Sequence, residues 1–542
     1  MRYPLANWSS ALSRRKFLGM FPAALALPAV LSEPSNVVRR IEEGGDVIDI
    51  RDFGAVGDGT HDDSTAIGNA VAELKSGDVL LFPSGQYRFA QRHPAGGAAI
   101  SIVGISDVSI DFETGAELLM DNLDDNGAGT SHGIVLRGPL EHVSLRNVAV
   151  RWASQPALRS MGDGIRVVGY ASDTSAVPDG WTGPARPAGW VTLSECRVES
   201  SPQAGVIMMG VSDIIVDGLH VENTMADGLH FNACRRGTVE RFSATNTGDD
   251  GLALVTYYSP ETKFDSASET FSFPALTEWS NTDFDVTDVH VSGGAANGVR
   301  LAGVNRSAIA AVVVDGVSNG AGVMVDSASP DSGAGWHYVA SRDVQLDGLT
   351  VDDSHTGLHV LARPNGSSSD LFSRFDLEIA GVAATNCLYW SVLVESIATP
   401  PVTGILLSDC TVIDAEIGPG TGAVGLQRTQ DVSLGTVSIT TTKSAVAFSV
   451  DNSAQFTIDQ LDVTVTGPPL GSEAGGPFAV FQGSSGTVVA ADLVWEQAPS
   501  SWLPILVFSD SCVGGTPTNP EVSVGTVTTN PTKAEPVFVA CR

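Results

Sequence analysis

A glycine-centred phrase recurs along this 542-residue chain at intervals close to 23 residues. Ala204-Gly205-Val206-Ile207-Met208 is followed 23 residues later by Ala226-Asp227-Gly228-Leu229-His230-Phe231, and after another 23 by Asp249-Asp250-Gly251-Leu252-Ala253-Leu254. Asn297-Gly298-Val299-Arg300-Leu301 comes 47 residues on, two periods with an insertion, and Ala321-Gly322-Val323-Met324-Val325 follows 24 residues after that. A fixed period of this size in a chain rich in Val, Gly, Asp and Thr describes a solenoid, whose coils each bury an apolar face only against their neighbours. One and three residues after each glycine the chain is apolar: Val206 and Met208, Leu229 and Phe231, Leu252 and Leu254, Val299 and Leu301. Strand alternation turns those inward and sends the residue between them outward. The outward column then reads Arg166, Ile207, His230, Ala253, Arg300, Met324 and His359. In the same frame Asp227 and Asp250 take one position on adjacent coils, about 4.8 Å apart along the stack. Asp249 doubles the charge beside them, and carboxylates this close do not ionise independently.

A chain of this length would ordinarily divide into several domains, but a solenoid extends one core along one axis. With 43% hydrophobic and 17% charged residues, a folded protein with ample core is expected. The formal net charge of −32 argues against nucleic acid, which needs clustered Lys and Arg to displace counterions. It argues equally against a polyanionic sugar unless a local basic patch or a metal compensates, so a neutral partner is expected. Ser13-Arg14-Arg15-Lys16-Phe17-Leu18-Gly19, ahead of an apolar run from Met20 to Leu31, has the form of a twin-arginine export signal over residues 1–35. The run is too short to span a membrane, so a secreted product without a membrane partner is expected. Small residues at Ala24, Ala26 and Ala29 offer several cleavage points, and the oligomeric state is not legible. Of six cysteines, Cys387 and Cys410 lie one period apart and Cys512 and Cys541 are placed to staple the last coil, while Cys196 and Cys234 complete the set. Disulfides and buried free thiols are both compatible with this pattern.

The region before the repeats has its own signature. Asp52-Phe53-Gly54-Ala55 and Gly57-Asp58-Gly59 precede Asp62-Asp63-Ser64, which supply a helix N-cap. Ala66, Ile67, Ala70, Val71 and Leu74 then fall on one helical face, and Val79-Leu80-Leu81-Phe82 reads as a strand. A helix over the first coil shields the open end of a stacked sheet. Residues 46–90 resemble the N-terminal cap of the pectate-lyase-like superfamily. The resemblance implies an all-β fold, a single-stranded right-handed parallel β-helix with an N-terminal cap helix, over residues 46–542. Hydrolases, lyases, epimerases and phage tailspikes share that cap. Two stretches exceed the period and are expected as loops on the binding face. They are residues 171–190, with Trp181 and Trp190, and residues 256–285, with Tyr257, Tyr258, Phe271, Phe273 and Trp279.

Asp-Gly is also a turn dipeptide, present here at Asp163-Gly164, Asp217-Gly218, Asp315-Gly316 and Asp347-Gly348. Asp227, Asp249 and Asp250 stand apart because they cluster, and a cluster of carboxylates destabilises a fold unless function rewards it. Asn223-Thr224-Met225-Ala226-Asp227-Gly228 with Asn246-Thr247-Gly248-Asp249-Asp250-Gly251 is similar to glycoside hydrolase family 87, which contains α-1,3-glucanases and mycodextranases. Families 28 and 49 share the arrangement of one Asp and an Asp pair. The resemblance implies inverting hydrolysis of a polysaccharide, with Asp249 as general acid and Asp227 and Asp250 activating water. The Gly-His-Gly and Arg-Ile-Lys motifs with which polygalacturonases bind uronates are absent. His230 and Arg300 are candidate substrate-binding or charge-tuning residues, and Tyr257 and Tyr258 candidate sugar-stacking residues. Asp163 reads as a turn residue. No cofactor is implied, and no metal: Asn122-Asp124-Asn126-Gly127 loosely suggests calcium but lacks the closing carboxylate. Two alternatives stay open, a polysaccharide lyase acting on a uronide and a glycan-binding β-helix without turnover.

Overall fold

The computed structural model describes residues 45–169, 187–265, 267–366, 370–418, 420–469, 476–509, 512–513, 516–517 and 521–541. Residues 1–35, expected as an export signal, and Trp181 lie outside them. Short apolar-alternating segments form the coils, and their strands stack in parallel into a 22-stranded and a 15-stranded sheet. The crossovers make a right-handed parallel β-helix. The interior is a ladder of like residues: Val206, Leu229, Leu252, Val299 and Val323 pair in register from coil to coil and are all buried. Arg166, Ile207, His230, Ala253, Arg300, Met324 and His359 are likewise in register, as the period requires.

The cap helix spans Ser64–Glu73 and buries Ala66, Ile67 and Ala70 over the first coil, with Val71 half-buried and Leu74 at its C-cap. Asp63 is the N-cap by position, but its carboxylate leaves the helix and accepts the N–H groups of Val56 (2.7 Å) and Gly57 (3.1 Å). The acid thereby ties the glycine turn to the helix.

The Asp-Gly pairs separate into two kinds. Gly218, Gly316 and Gly348 have φ of 72°, 72° and 65°, the left-handed conformation that a side chain strains. Gly228 and Gly251 need glycine for another reason: a Cβ would lie 2.5 Å from Gly251 O and 2.6 Å from Gly298 O respectively. The first kind makes corners, and the second lets one coil sit against the next.

Cys512 and Cys541 form a disulfide across the terminal coil. Cys387 and Cys410 are buried free thiols rather than a pair, as are Cys196 and Cys234. Burial in an apolar core pushes the thiols of Cys196, Cys234 and Cys410 up to about 12, where they behave as small apolar groups.

Candidate active site

The residue preceding each column glycine sits where its side chain reaches the next coil. Asp250 N–H donates to Asp227 Oδ1 (3.0 Å); Asn297 donates to Asp250 Oδ1 from its backbone (3.1 Å) and from Nδ2 (2.7 Å); Ala321 N–H donates to Asn297 Oδ1 (2.9 Å). Asp163 repeats the pattern upstream by accepting from Ala204 N–H at 3.0 Å. In Asp227 and Asp250 one oxygen is therefore structural and the other is left to the groups on the face of the coil.

Those remaining oxygens have different neighbours. Asp227 Oδ2 is 2.8 Å from His230 Nδ1, and Asp250 Oδ2 is 3.8 Å from Arg300 Nη1. Asp249, outside the ladder, meets Arg159 Nη1 at 2.7 Å, and its side chain is 34% exposed whereas Asp227 and Asp250 are buried. One oxygen from each of the three lies within 4.8 Å of one from each of the others. Burial pushes the Asp250 carboxyl up; Arg300 opposes, and the charges of Asp227 and Asp249 add, leaving it at about 7. Burial also raises Asp227, but the hydrogen bond and charge of His230, then Arg159, outweigh it and hold Asp227 below the usual carboxylate range. The trio thus pairs a proton-holding carboxyl with a carboxylate a few ångströms away.

Among the described residues this is the one convergent group of three His, Cys, Asp or Glu side chains. Of its oxygens, Asp227 Oδ1 accepts the Asp250 N–H, Asp227 Oδ2 meets His230, Asp249 Oδ2 meets Arg159 and Asp250 Oδ1 accepts from Asn297, while Asp250 Oδ2 has only Arg300 near it, at 3.8 Å. In the Asn122–Gly127 stretch Asp124 Oδ1 accepts Asn126 N–H and Ala128 N–H (both 2.8 Å), and Asn122 Nδ2 donates to Ser131 Oγ (2.7 Å) while its Oδ1 is buried without a hydrogen-bond partner.

Arg300 is held by Asp326, with Nε at 3.1 Å and Nη2 at 2.9 Å from its two oxygens; Arg363 Nη1 reaches the same carboxylate at 2.7 Å. The Tyr338 ring lies 4.8 Å from Arg300 Cζ. Tyr257 stands over this edge of the trio, 4.9 Å from the Trp336 ring and 5.8 Å from Tyr338 between centroids. Its phenol is pushed up by burial and by the charges of Tyr338, Asp227 and Asp249. Tyr258 turns away to pack edge-on against Phe372 at 5.0 Å. Phe271, Phe273 and Trp279 fill a small core with Val168, Met209 and Ala233, so these loop aromatics pack instead of facing a groove. Trp190 is 54% exposed, stacked on His142.

Upstream on the same face, Arg166 bonds Asp163 (2.7 Å) and Glu269 (2.9 Å), and Arg137 also pairs with Glu269. Asp163, which the dipeptide suggested as a turn, is a fully buried partner of Arg166 and His132; burial pushes it up, and those two partners drive it well below the carboxylate range instead.

Sequence reading brings Asp227, Asp249, Asp250, His230, Arg300 and Tyr257 to one place; it passes over Arg159, Asp326, Arg363, Trp336 and Tyr338. Asp326 had a signal, because alternation from Val323 and Val325 inward puts it outward with Met324. Arg159 had none, lying 90 residues from Asp249.

Residues 47–95 match a family model described as rhamnogalacturonase A/epimerase, pectate lyase-like. No curated protein matches the chain. Among solved structures, the catalytic domain of a glycoside hydrolase family 87 α-1,3-glucanase in complex with nigerose is 12% identical, with 88% of this chain and 67% of that chain covered and a TM-score of 0.44. The catalytic unit of the family 87 α-1,3-glucanase of Streptomyces thermodiastaticus is 13% identical, with 91% and 70% covered and a TM-score of 0.40. The family 28 exopolygalacturonase of Yersinia enterocolitica is 12% identical, with 90% and 78% covered and a TM-score of 0.37.

Proposed function

We propose that the chain is an exported glycoside hydrolase that cleaves a neutral polysaccharide, an α-glucan, with inversion at the anomeric carbon. The observation that carries the reading is the convergence of Asp227, Asp249 and Asp250 within 4.8 Å, one carboxyl holding a proton near neutral pH and another held ionised by His230. Glycoside hydrolysis needs that pair of states on neighbouring carboxyls.

The trio carries one proton between its members. Asp249, the exposed member, approaches the leaving oxygen once its Arg159 partner swings aside; the proton held at Asp250 passes to it and then to the departing sugar. Asp227 and Asp250 are then both carboxylates, and Asp227, oriented by His230, takes a proton from the attacking water. Hydrolysis consumes that water, and proton exchange with solvent resets the trio. Inversion requires a working separation of roughly 6.5–9.5 Å, so Asp249 must reach away from its neighbours to serve as the acid.

Neutrality of the substrate is supported by the pairing of cations around the trio. Arg300 and Arg363 are engaged by Asp326, Arg166 by Asp163 and Glu269, Arg159 by Asp249 and His359 by Glu395. A uronate would have to displace one of these carboxylates in a chain of net charge −32. The α-glucan assignment rests on the Asn223–Gly228 and Asn246–Gly251 phrases, and export on Arg14-Arg15 before the apolar run.

The test is reducing-sugar release from a panel that includes α-1,3-glucan, mixed α-1,3/1,4-glucan, dextran and polygalacturonate. Release from a neutral glucan that disappears in Asp249→Asn upholds the reading. Release of an unsaturated, ultraviolet-absorbing product from a uronide replaces it with a lyase.

A further inference from the structure

Arg300 carries one guanidinium and faces two carboxylates. It rises from the strand Val299–Ala302, while Asp326 rises from the next strand of the same sheet, Ala321–Ala328, and Arg363 closes Thr356–Arg363 one coil further on. Asp326 is fully buried and takes the Arg300 fork through Nε (3.1 Å) and Nη2 (2.9 Å), which leaves Nη1 3.8 Å from Asp250 Oδ2, outside hydrogen-bond range. The Tyr338 ring closes the remaining side. We propose that Asp326 is a positioning residue: by holding Arg300 in a two-point fork it keeps the guanidinium facing Asp250 without closing an ion pair on it. This inference rests on the hydrolase reading.

The physical argument is a competition. A guanidinium in a planar fork with a buried carboxylate is fixed in direction as well as place. Asp250 therefore receives only the longer-range attraction of Arg300, and burial together with Asp227 and Asp249 prevails over it. Without the charge at position 326, the nearest carboxylate to a half-buried, uncompensated guanidinium is Asp250. The cation would swing to it, and the proton the trio needs would be lost at lower pH. Arg363 works in the opposite sense, drawing off part of the Asp326 charge. Asp250 is also faced by Asp227, Asp249, Asn297 and the Tyr338 phenol, and behind Asp227 and Asp249 stand His230, Tyr257 and Arg159. None of them competes with Asp250 for Arg300 as Asp326 does.

Two substitutions shift the balance in opposite directions, which loss of packing alone would not do. In Asp326→Asn the alkaline limb of kcat/KM moves to lower pH, by about 1 to 3 units, the range for an opposite charge closing on a carboxyl. In Arg363→Met it moves to higher pH. Adding Arg300→Met to Asp326→Asn moves the midpoint back up. The same midpoint is read without turnover from the protonated-carboxyl band in infrared difference spectra, assigned by its loss in Asp250→Asn. A folded Asp326→Asn with an unmoved midpoint overturns the proposal. Should that variant not fold, an Arg363→Met midpoint that is unmoved or lowered overturns it instead. A midpoint that shifts as expected in a protein that hydrolyses no glycan upholds the positioning role and refutes the hydrolase reading, so the two failures are distinct.

Discussion

The backbone N–H of Asp250 donates to the carboxylate of Asp227 on the preceding coil, at 3.0 Å. The bond that stacks two coils also fixes the spacing of two acids, so the constellation is built into the scaffold before any substrate arrives. Such preorganisation is what electrostatic catalysis requires of a site. It also means that these two carboxylates have structural work which Asp249 lacks.

Substitution should separate the two kinds of acid. Asp249→Asn is expected to lower kcat by about a thousandfold or more while leaving the melting temperature unchanged, since its side chain is partly exposed and outside the ladder. Asp227→Ala and Asp250→Ala should abolish activity and also destabilise by about 1–3 kcal/mol, because each strands a buried N–H of the next coil. Thermal unfolding beside kinetics checks both, and a Tm loss for Asp249→Asn equal to theirs would contradict the distinction.

The raised carboxyl of Asp250 makes stability depend on pH. Its folded value of about 7 lies above the ordinary carboxylate value of 3.8, so the native state binds the extra proton. Its contribution is fully present below about pH 4 and is lost as pH rises through about 7. Asp227, held low by His230, works in the other direction and stabilises above the ordinary carboxylate range. The difference in Tm between Asp250→Asn and the parent should therefore shift in favour of the variant between pH 5 and pH 8, by the equivalent of about 1 kcal/mol or more. A constant difference across that range would show that Asp250 does not hold the proton.

Inversion has a direct readout. Proton NMR of the first products from an α-glucan should show the β-anomer before mutarotation sets in. Initial α-anomer would require a covalent intermediate and move one of the buried acids into the nucleophile's role.

The two kinds of loop aromatic should respond differently. Trp336 is 57% exposed beside Tyr257, and its segment is tied down by the Tyr258 N–H donating to His337 O at 2.7 Å. Trp336→Ala is expected to raise KM about five- to tenfold with a smaller change in kcat, through loss of sugar stacking. Trp279, buried with Phe271 and Phe273 and lying under Arg235 at 4.1 Å, should cost about 3–5 kcal/mol of stability when cut to alanine. Isothermal binding of an oligosaccharide to both variants checks the pair; unchanged affinity in Trp336→Ala, or equal weakening in the two, would contradict the distinction.

The coil was legible because its signals are local. The 23-residue spacing of Gly205, Gly228 and Gly251 and the apolar pairs after each glycine dictate which side chains turn inward, and the register of His230 with Ala253 and Arg300 follows from the same count. The dipeptide Asp-Gly was not legible in this way. Gly348 is there for a positive φ and Gly251 for the approach of the next coil, and a sequence of two letters does not distinguish a backbone angle from a neighbour's carbonyl.

By itself, then, the sequence determined the solenoid, its cap helix and the stacking of Asp227 on Asp250, since periodicity and strand alternation are properties of consecutive residues. Only the tertiary structure decided that Asp163 joins a buried ion network, that Arg159 reaches Asp249 from 90 residues away, and that Asp326 takes hold of Arg300. It likewise decided that Trp279 turns into a core while Trp336 faces solvent. These contacts are made by loops of unequal length and by long side chains reaching across coils. No period constrains either of them, so their partners are chosen by packing and charge once the coils are stacked.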